Sequence, residues 1–229
     1  DVQAGSLRIT GSGATSVLNG TITATDAAGI VLDDSVRVVD GLSLVVTHAD
    51  ADIVIGRDGE VPPFYLASDD AAGPATLDLT LAGGDAVFHS VIDAGRGSSP
   101  TTGRLTGLGI SGAGDVRFAE AIEIAGDVTI DATGEVRFEQ AVTLLDGGSL
   151  TIRNAGKVRF DQGLIKLRAD SGAAGALDIQ AGTILVGDGS VASDLVVDFD
   201  PGAGASGGAV ILDATLGADG RLADLVIED

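Results

Sequence analysis

The phrases GDVRF (Gly114–Phe118), GEVRF (Gly134–Phe138) and GKVRF (Gly156–Phe160) decide how this chain is to be read. Half of its six phenylalanines stand at one place in one short phrase. Extended, the phrases become three units that align: GDVRFAEAIEIAGDVTIDAT (Gly114–Thr133), GEVRFEQAVTLLDGGSLTIRNA (Gly134–Ala155) and GKVRFDQGLIKLRADSGAAGALDIQA (Gly156–Ala181). Their starts lie 20 and 22 residues apart, and the next comparable start, Gly182, lies 26 further on. A period of this length marks an architecture of stacked units.

Each unit holds three short pieces in which apolar and polar residues alternate. The first carries Val116/Phe118, Val136/Phe138 and Val158/Phe160; the second Ile122/Ile124, Val142/Leu144 and Leu164 onward; the third Val128/Ile130, Leu150/Ile152 and Leu177/Ile179. Alternation over four or five residues, bounded by Gly, Asp, Asn and Ser, is the signature of a half-buried strand. AEAIEIA (Ala119–Ala125) alternates as well, so it reads as strand rather than helix. Extra residues fall between the pieces, at 145–148 and 169–175, where a turn tolerates length.

Upstream, GDAVFHSVIDAG (Gly84–Gly95) follows the same grammar, and SLRIT, GTITAT, GIVLDDSVRVVDG, LSLVVT and ADIVIG are strand candidates before it. DLVVDFD, GAVILDAT and LADLVIED continue the pattern downstream. Two stretches depart from it. Residues 61–75 hold three of the five prolines and the single tyrosine, and residues 96–104 read RGSSPTTGR. Both are expected to protrude as loops. A boundary between sub-domains is the competing reading of 61–75, but the strand grammar resumes unchanged on both sides.

A unit of about 20 residues cannot bury its own apolar side chains; stacked on a like neighbour it can. The expected fold is therefore all-β, a right-handed parallel β-helix with 20–26 residues per coil. A leucine-rich solenoid lacks its consensus here. A β-sandwich gives no reason for Phe118/Phe138/Phe160, Ala121/Ala141/Gly163 and Gly114/Gly134/Gly156 to keep phase. Roughly nine to ten coils, rising about 4.8 Å each, would make a rod on the order of 45 Å long. Both SLRITGSG and LADLVIED are already in pattern, so residues 1–229 are expected to be a single segment of a longer rod or a subunit that stacks end to end.

Composition narrows the function. The chain carries 34 acidic and 13 basic residues, a formal charge of -21, which opposes nucleic-acid binding. With 45% apolar residues it is not a disordered acidic tail. No apolar run is long enough to span a membrane as a helix. There is no cysteine, hence no disulfide and no thiolate metal site.

Parallel β-helices also host enzymes that act on acidic polysaccharides, so catalytic candidates need testing. Arg117, Arg137 and Arg159 each stand between two inward residues and would form an outward column able to grip a sulfated or carboxylated glycan. Their neighbours Asp115, Glu135, Glu139 and Asp161 favour a neutralised surface instead. His48 and His89 stand alone, without triad context. H-E-x-x-H and the phosphate loop are absent, and the Gly-rich GSGATSVLNG leads into strand rather than into a helix N-terminus. GRDGEV, GDGS and GADGRL are single Asp-Gly turns, not calcium nonapeptides, so no cofactor is expected beyond weak, nonspecific Ca²⁺ association. Gln140 and Gln162 are placed for a short amide ladder.

The stretch GDVRFAEAIEIAGDVTIDATGEVRFEQAVTL resembles the G-x-V-x-F repeats of giant bacterial surface and secreted proteins. These are the filamentous-haemagglutinin-like exoproteins, autotransporter passengers and very large repeat adhesins. The likeness is good over Gly84–Ala181 and looser elsewhere. It implies export to the bacterial cell surface or beyond, a long β-helical stalk, and adhesion or cell–cell contact. The partners it implies are neighbouring repeats, other copies end to end, and cell-surface glycans. The alternatives are a polysaccharide-acting β-helical enzyme or glycan-binding module, and a self-assembling filament subunit.

Overall fold

Backbone hydrogen bonds between successive passes of the chain organise the molecule. The computed structural model describes residues 1–60, 64–68, 75–92, 103–169, 172, 174–187, 193–200, 208–216 and 222–228, and every regular element among them is a β-strand. The strands pair in parallel, each with the strand one pass earlier and the strand one pass later. They fall into three rows. In the first, Leu7, Ile30, Ile53, Ala86, Val116, Val136, Val158, Ile184 and Leu216 stand in register. The second runs from Ser16 through Leu66, Ile122 and Ile165 to Ile227. The third runs from Val2 through Leu44, Ile130 and Ile179 to Leu212. The chain visits the rows in turn and returns, so nine passes lie one on another.

The expected pass of 20–26 residues holds from Leu7 to Ile53 and from Val116 to Ile184, but not between them nor in the last pass, where Ile184 and Leu216 are 32 apart. Val116 and Val136 are 20 residues apart, whereas Ile53 and Ala86 are 33 apart and Ala86 and Val116 are 30 apart. Two of the three long passes, Ile53–Ala86 and Ala86–Val116, contain the stretches expected to protrude. Register survives them: the strands on either side still pair in phase, Ile53 with Ala86 and Ala86 with Val116. Part of the expected loop 61–75 is itself strand. Tyr65–Ser68 pairs with residues 36–38 on one side and Val91–Ile92 on the other, with Leu66 fully buried. Its alternation is short and follows directly on Pro62-Pro63, which hid it. Residues 61–63 and 69–74 of that stretch, and 96–102 of the other, lie outside the described residues. Gly103 is back in the stack, its carbonyl accepting the Ser68 N–H at 3.0 Å.

Period-2 alternation sends Val116 and Phe118 inward with Arg117 between them, and the next passes repeat this in register. The phenylalanine column is longer than the repeated phrase suggests. Phe88, Phe118, Phe138 and Phe160 stack with centroid separations of 4.7, 5.0 and 5.0 Å and interplanar angles of 15°, 4° and 6°. That separation is the interstrand spacing, and it exceeds the thickness of a ring, so the rings stack with an offset, the favourable arrangement for aromatic quadrupoles. Ile9, Leu32 and Ile55 continue the column on one side and Val186 on the other.

At the corner before this row, close packing selects glycine. The Gly134 N–H donates to the Gly114 carbonyl, and the Gly114 N–H to that of Gly84, both at 2.8 Å. A Cβ on Gly114 would lie 2.6 Å from the Gly83 carbonyl oxygen. The next position varies between Asp115, Glu135 and Lys157, yet it is not a free one. Asp52 accepts the Asp85 N–H, Asp85 the Asp115 N–H and Asp115 the Glu135 N–H, at 2.8, 2.8 and 2.7 Å. The corner turns the peptide N–H away from the backbone ladder, and a carboxylate one pass earlier replaces the missing acceptor. Asp127 and Ser149 do the same at another corner, for Ser149 and Ala176. The amide ladder of Gln140 and Gln162 forms as expected.

Phe138 is 1% exposed and has a ring against each face. Phe138→Ala is expected to cost about 3–5 kcal/mol, through lost burial and the cavity left behind. Phe138→Leu keeps most of the volume and should cost distinctly less. Urea unfolding of the two variants checks both.

Candidate functional site

The outward column predicted from sequence is present: Arg117, Arg137 and Arg159 pair in register on adjacent passes. Each lies mid-strand between two buried residues, so its side chain must leave the wall. Upstream, the same column is filled by Val87, Val54 and Val31 and then by Arg8, and downstream by Leu185, so the three arginines form a cationic segment flanked by apolar residues.

The charges are engaged by carboxylates at the next corner. Arg117 Nε donates to Glu139 at 2.7 Å. Arg137 donates through Nε and Nη2 to Asp161 at 3.0 and 2.6 Å, with Nη1 3.4 Å from Glu139. Arg159 Nε donates to the other Asp161 oxygen at 2.8 Å and to the Gly187 carbonyl at 3.2 Å. The result is an alternating chain, Arg117–Glu139–Arg137–Asp161–Arg159, running along the stack. Hydrogen bonding to Glu139 raises the Arg117 guanidinium above its ordinary value, and Asp161 does the same for Arg137. Of the four acids that sequence placed beside the arginines, Glu139 and Asp161 neutralise them. Asp115 instead holds a backbone N–H, and Glu135 lies 3.7 Å from Lys157.

Beside Arg117 and Arg137 the wall dips into a shallow depression of about 220 Å³, lined also by Asp85, Val87, Asp115, Val116 and Glu135. It exists because Val87 is short where the next two passes carry arginine. Arg117 lines this hollow while its Nε is held by Glu139, and the Asp58 charge also acts on it. The chemistry on offer is hydrogen bonding to hydroxyls. An anionic ligand would meet Asp85, Asp115 and Glu135 together with guanidinia that already have carboxylate partners.

A second polar cluster was not anticipated. Asp33, with a side chain 5% exposed, receives Arg57 Nε and Nη2 at 2.8 Å each, and Arg8 Nη2 at 3.4 Å. Arg8 and Arg57 stand one pass to either side of Asp33, so a carboxylate is clamped across three passes. Next to it, Asp34 accepts from Ser16 Oγ and the Ser35 N–H at 3.1 and 2.8 Å. The spacing of 24 and 25 residues between opposite charges was the available signal. It lay outside the clear repeats, where no register could be read. His48 and His89 stay apart, as expected: His48 Nδ1 accepts the Asp50 N–H at 3.2 Å, and His89 Nδ1 lies 3.8 Å from Asp58.

Among the described residues no group of three or more His, Asp or Glu is arranged to hold a metal ion, and no helix is long and apolar enough to cross a membrane. Comparison with protein-family models, with curated proteins and with solved structures yields no match.

Two outcomes follow from the charged clusters. The Arg57 hydrogen bond holds the Asp33 carboxyl below its ordinary 3.8. Its stabilisation is therefore present above that value and lost as pH falls through the lowered one. Urea midpoints measured from about pH 5 down to about pH 2 should fall less steeply in Arg57→Gln than in the parent. Arg137 is 37% exposed, so Arg137→Gln should cost under about 1 kcal/mol. The difference from the parent should shrink in 1 M salt, where the screening length is about 3 Å.

Proposed function

We propose that this chain is a right-handed parallel β-helix serving as a structural stalk or filament segment of a large bacterial surface or secreted protein, in adhesion or cell–cell contact. The right hand follows the general rule for parallel strands joined by a crossover. The observation that carries the reading is the closure of the arginine row by its own carboxylates. A polysaccharide-cleaving groove needs cations or a metal free for the substrate, whereas here the charges tie successive passes together. The repeated phrase acts in the same direction, since its conserved-in-phase residues are corner glycines and inward Val and Phe. The extracellular setting rests on the resemblance of Gly84–Ala181 to exported repeat proteins.

The partners in this reading are further passes of the same kind. Val2 and Ile227, at inward positions of the outermost described passes, are 53% and 54% exposed, while their row neighbours Ile22, Leu44, Val197 and Ile165 are buried. Another pass, in the same chain or another copy, would cover them. The depression beside Arg117 favours a second reading, a glycan-binding wall.

Small-angle scattering of the purified chain tests the first reading. It should give a body on the order of 40 Å along the stack, from nine passes about 4.8 Å apart. Incubation with neutral, uronic and sulfated polysaccharides should yield no new chain ends and no retention on a glycan array. Cleavage of any of them, or binding lost in Arg117→Gln, would turn the assignment to the enzyme or the glycan-binding module.

A further inference from the structure

Asn19 and Gly20 form the corner where the first pass leaves the second row for the third. Both are exposed, and Gly20 has φ 73°. In-register pairing steps from Leu18 with Val38 to Gly20 with Leu42, which leaves Asn19 outside the ladder. Around Gly20 there is open space: a Cβ built there would meet nothing nearer than an Asp1 carboxylate oxygen at 3.6 Å. The Asn19 side chain thus stands at an exposed corner position that has no partner in the ladder, followed by a glycine whose Cβ side is open.

The chain has one other asparagine, and it is built differently. Asn154 Nδ2 donates to Asp131 at 2.8 Å, and the residue after it is Ala155, 3% exposed and paired with Ala181. Its amide is tethered, and the following peptide nitrogen belongs to a residue with a buried methyl group.

We propose that Asn19–Gly20 is a site of spontaneous covalent modification. The Gly20 peptide nitrogen attacks the Asn19 side-chain carbonyl carbon. The amide nitrogen leaves as ammonia, taking the proton of the attacking N–H, and a five-membered succinimide forms. Water then opens the ring at one or the other carbonyl, giving aspartate or isoaspartate. Nothing is oxidised or reduced, and water is the sole co-reactant. The fold already accommodates the aspartate product one pass on, where the corner reads Asp40–Gly41 with φ 59° and 137°. Conversion places a new carboxylate at a corner that already has Asp1 beside Gly20, on a chain of formal charge -21.

Ageing the purified chain in warm, mildly alkaline buffer, followed by peptide mass analysis, tests this. The Asn19 peptide should gain one dalton and split into two chromatographic isomers, faster at higher pH, while the Asn154 peptide stays unchanged. Asn19→Gln, which would need a less favourable six-membered ring, should remain unmodified in the same protocol. No gain at Asn19, an equal gain at Asn154, or a glycan mass occupying Asn19 within the acceptor-like Asn19-Gly20-Thr21 would overturn the proposal.

Discussion

Parallel backbone pairing from one pass to the next is the constraint on which the rest of this structure depends. A strand in the stack has its N–H and C=O groups satisfied only by its neighbours above and below, so each pass must match the last in height and phase. Register then acts on side chains. An inward residue faces the equivalent residue of the next pass at the interstrand distance, and large, flat groups are favoured where they can lie against their own kind. The Phe88–Phe160 column is the direct consequence. Lengthening a pass does not break the constraint, since the strands at both ends of the 30- and 33-residue passes still pair in register.

Corners are where the constraint is hardest to satisfy. The chain must turn while its peptide groups still find partners, and two solutions recur. Glycine allows carbonyl oxygens of the previous pass to approach the backbone closely, as at Gly114. Short acids and serine supply an acceptor where the backbone cannot, as Asp85, Asp115 and Asp127 do. Part of the chain's acidity is therefore architectural. These carboxylates hold peptide N–H groups and also contribute to the negative wall that keeps anions away from the arginines.

How legible this was in the sequence depended on how strictly a segment repeats. Gly114–Ala181 showed its strands, its inward Val and Phe, its outward arginines and its corner glycines, because three copies in phase separate constrained positions from free ones. Phe88 was readable from GDAVF once the phrase was known, yet its place in the ring stack needs the register across a 30-residue pass. The role of the Asp115 position is hidden in sequence because Asp, Glu and Lys stand there in turn. Identity varies while one function, accepting an N–H, is used where the acid is short enough. Tyr65–Ser68 was illegible because it is short and stands just after Pro62-Pro63, and the Asp33 clamp because Arg8 and Arg57 lie in passes without a repeated phrase.

The arginine row bears most directly on function, and its geometry argues against a site of anionic chemistry. An exposed guanidinium column could recruit a polyanion if its counter-charges stood elsewhere. Here Glu139 and Asp161 occupy the corner immediately after the strands that carry Arg117, Arg137 and Arg159, one pass or less away from each. A ligand would have to displace intramolecular carboxylates that are covalently delivered to the site, against a field set by Asp85, Asp115 and Glu135. Such ladders gain from being linked, because moving one member along the stack disturbs the next. The row is thus better suited to resisting slippage between passes than to holding something from outside, which is the property a load-carrying stalk requires.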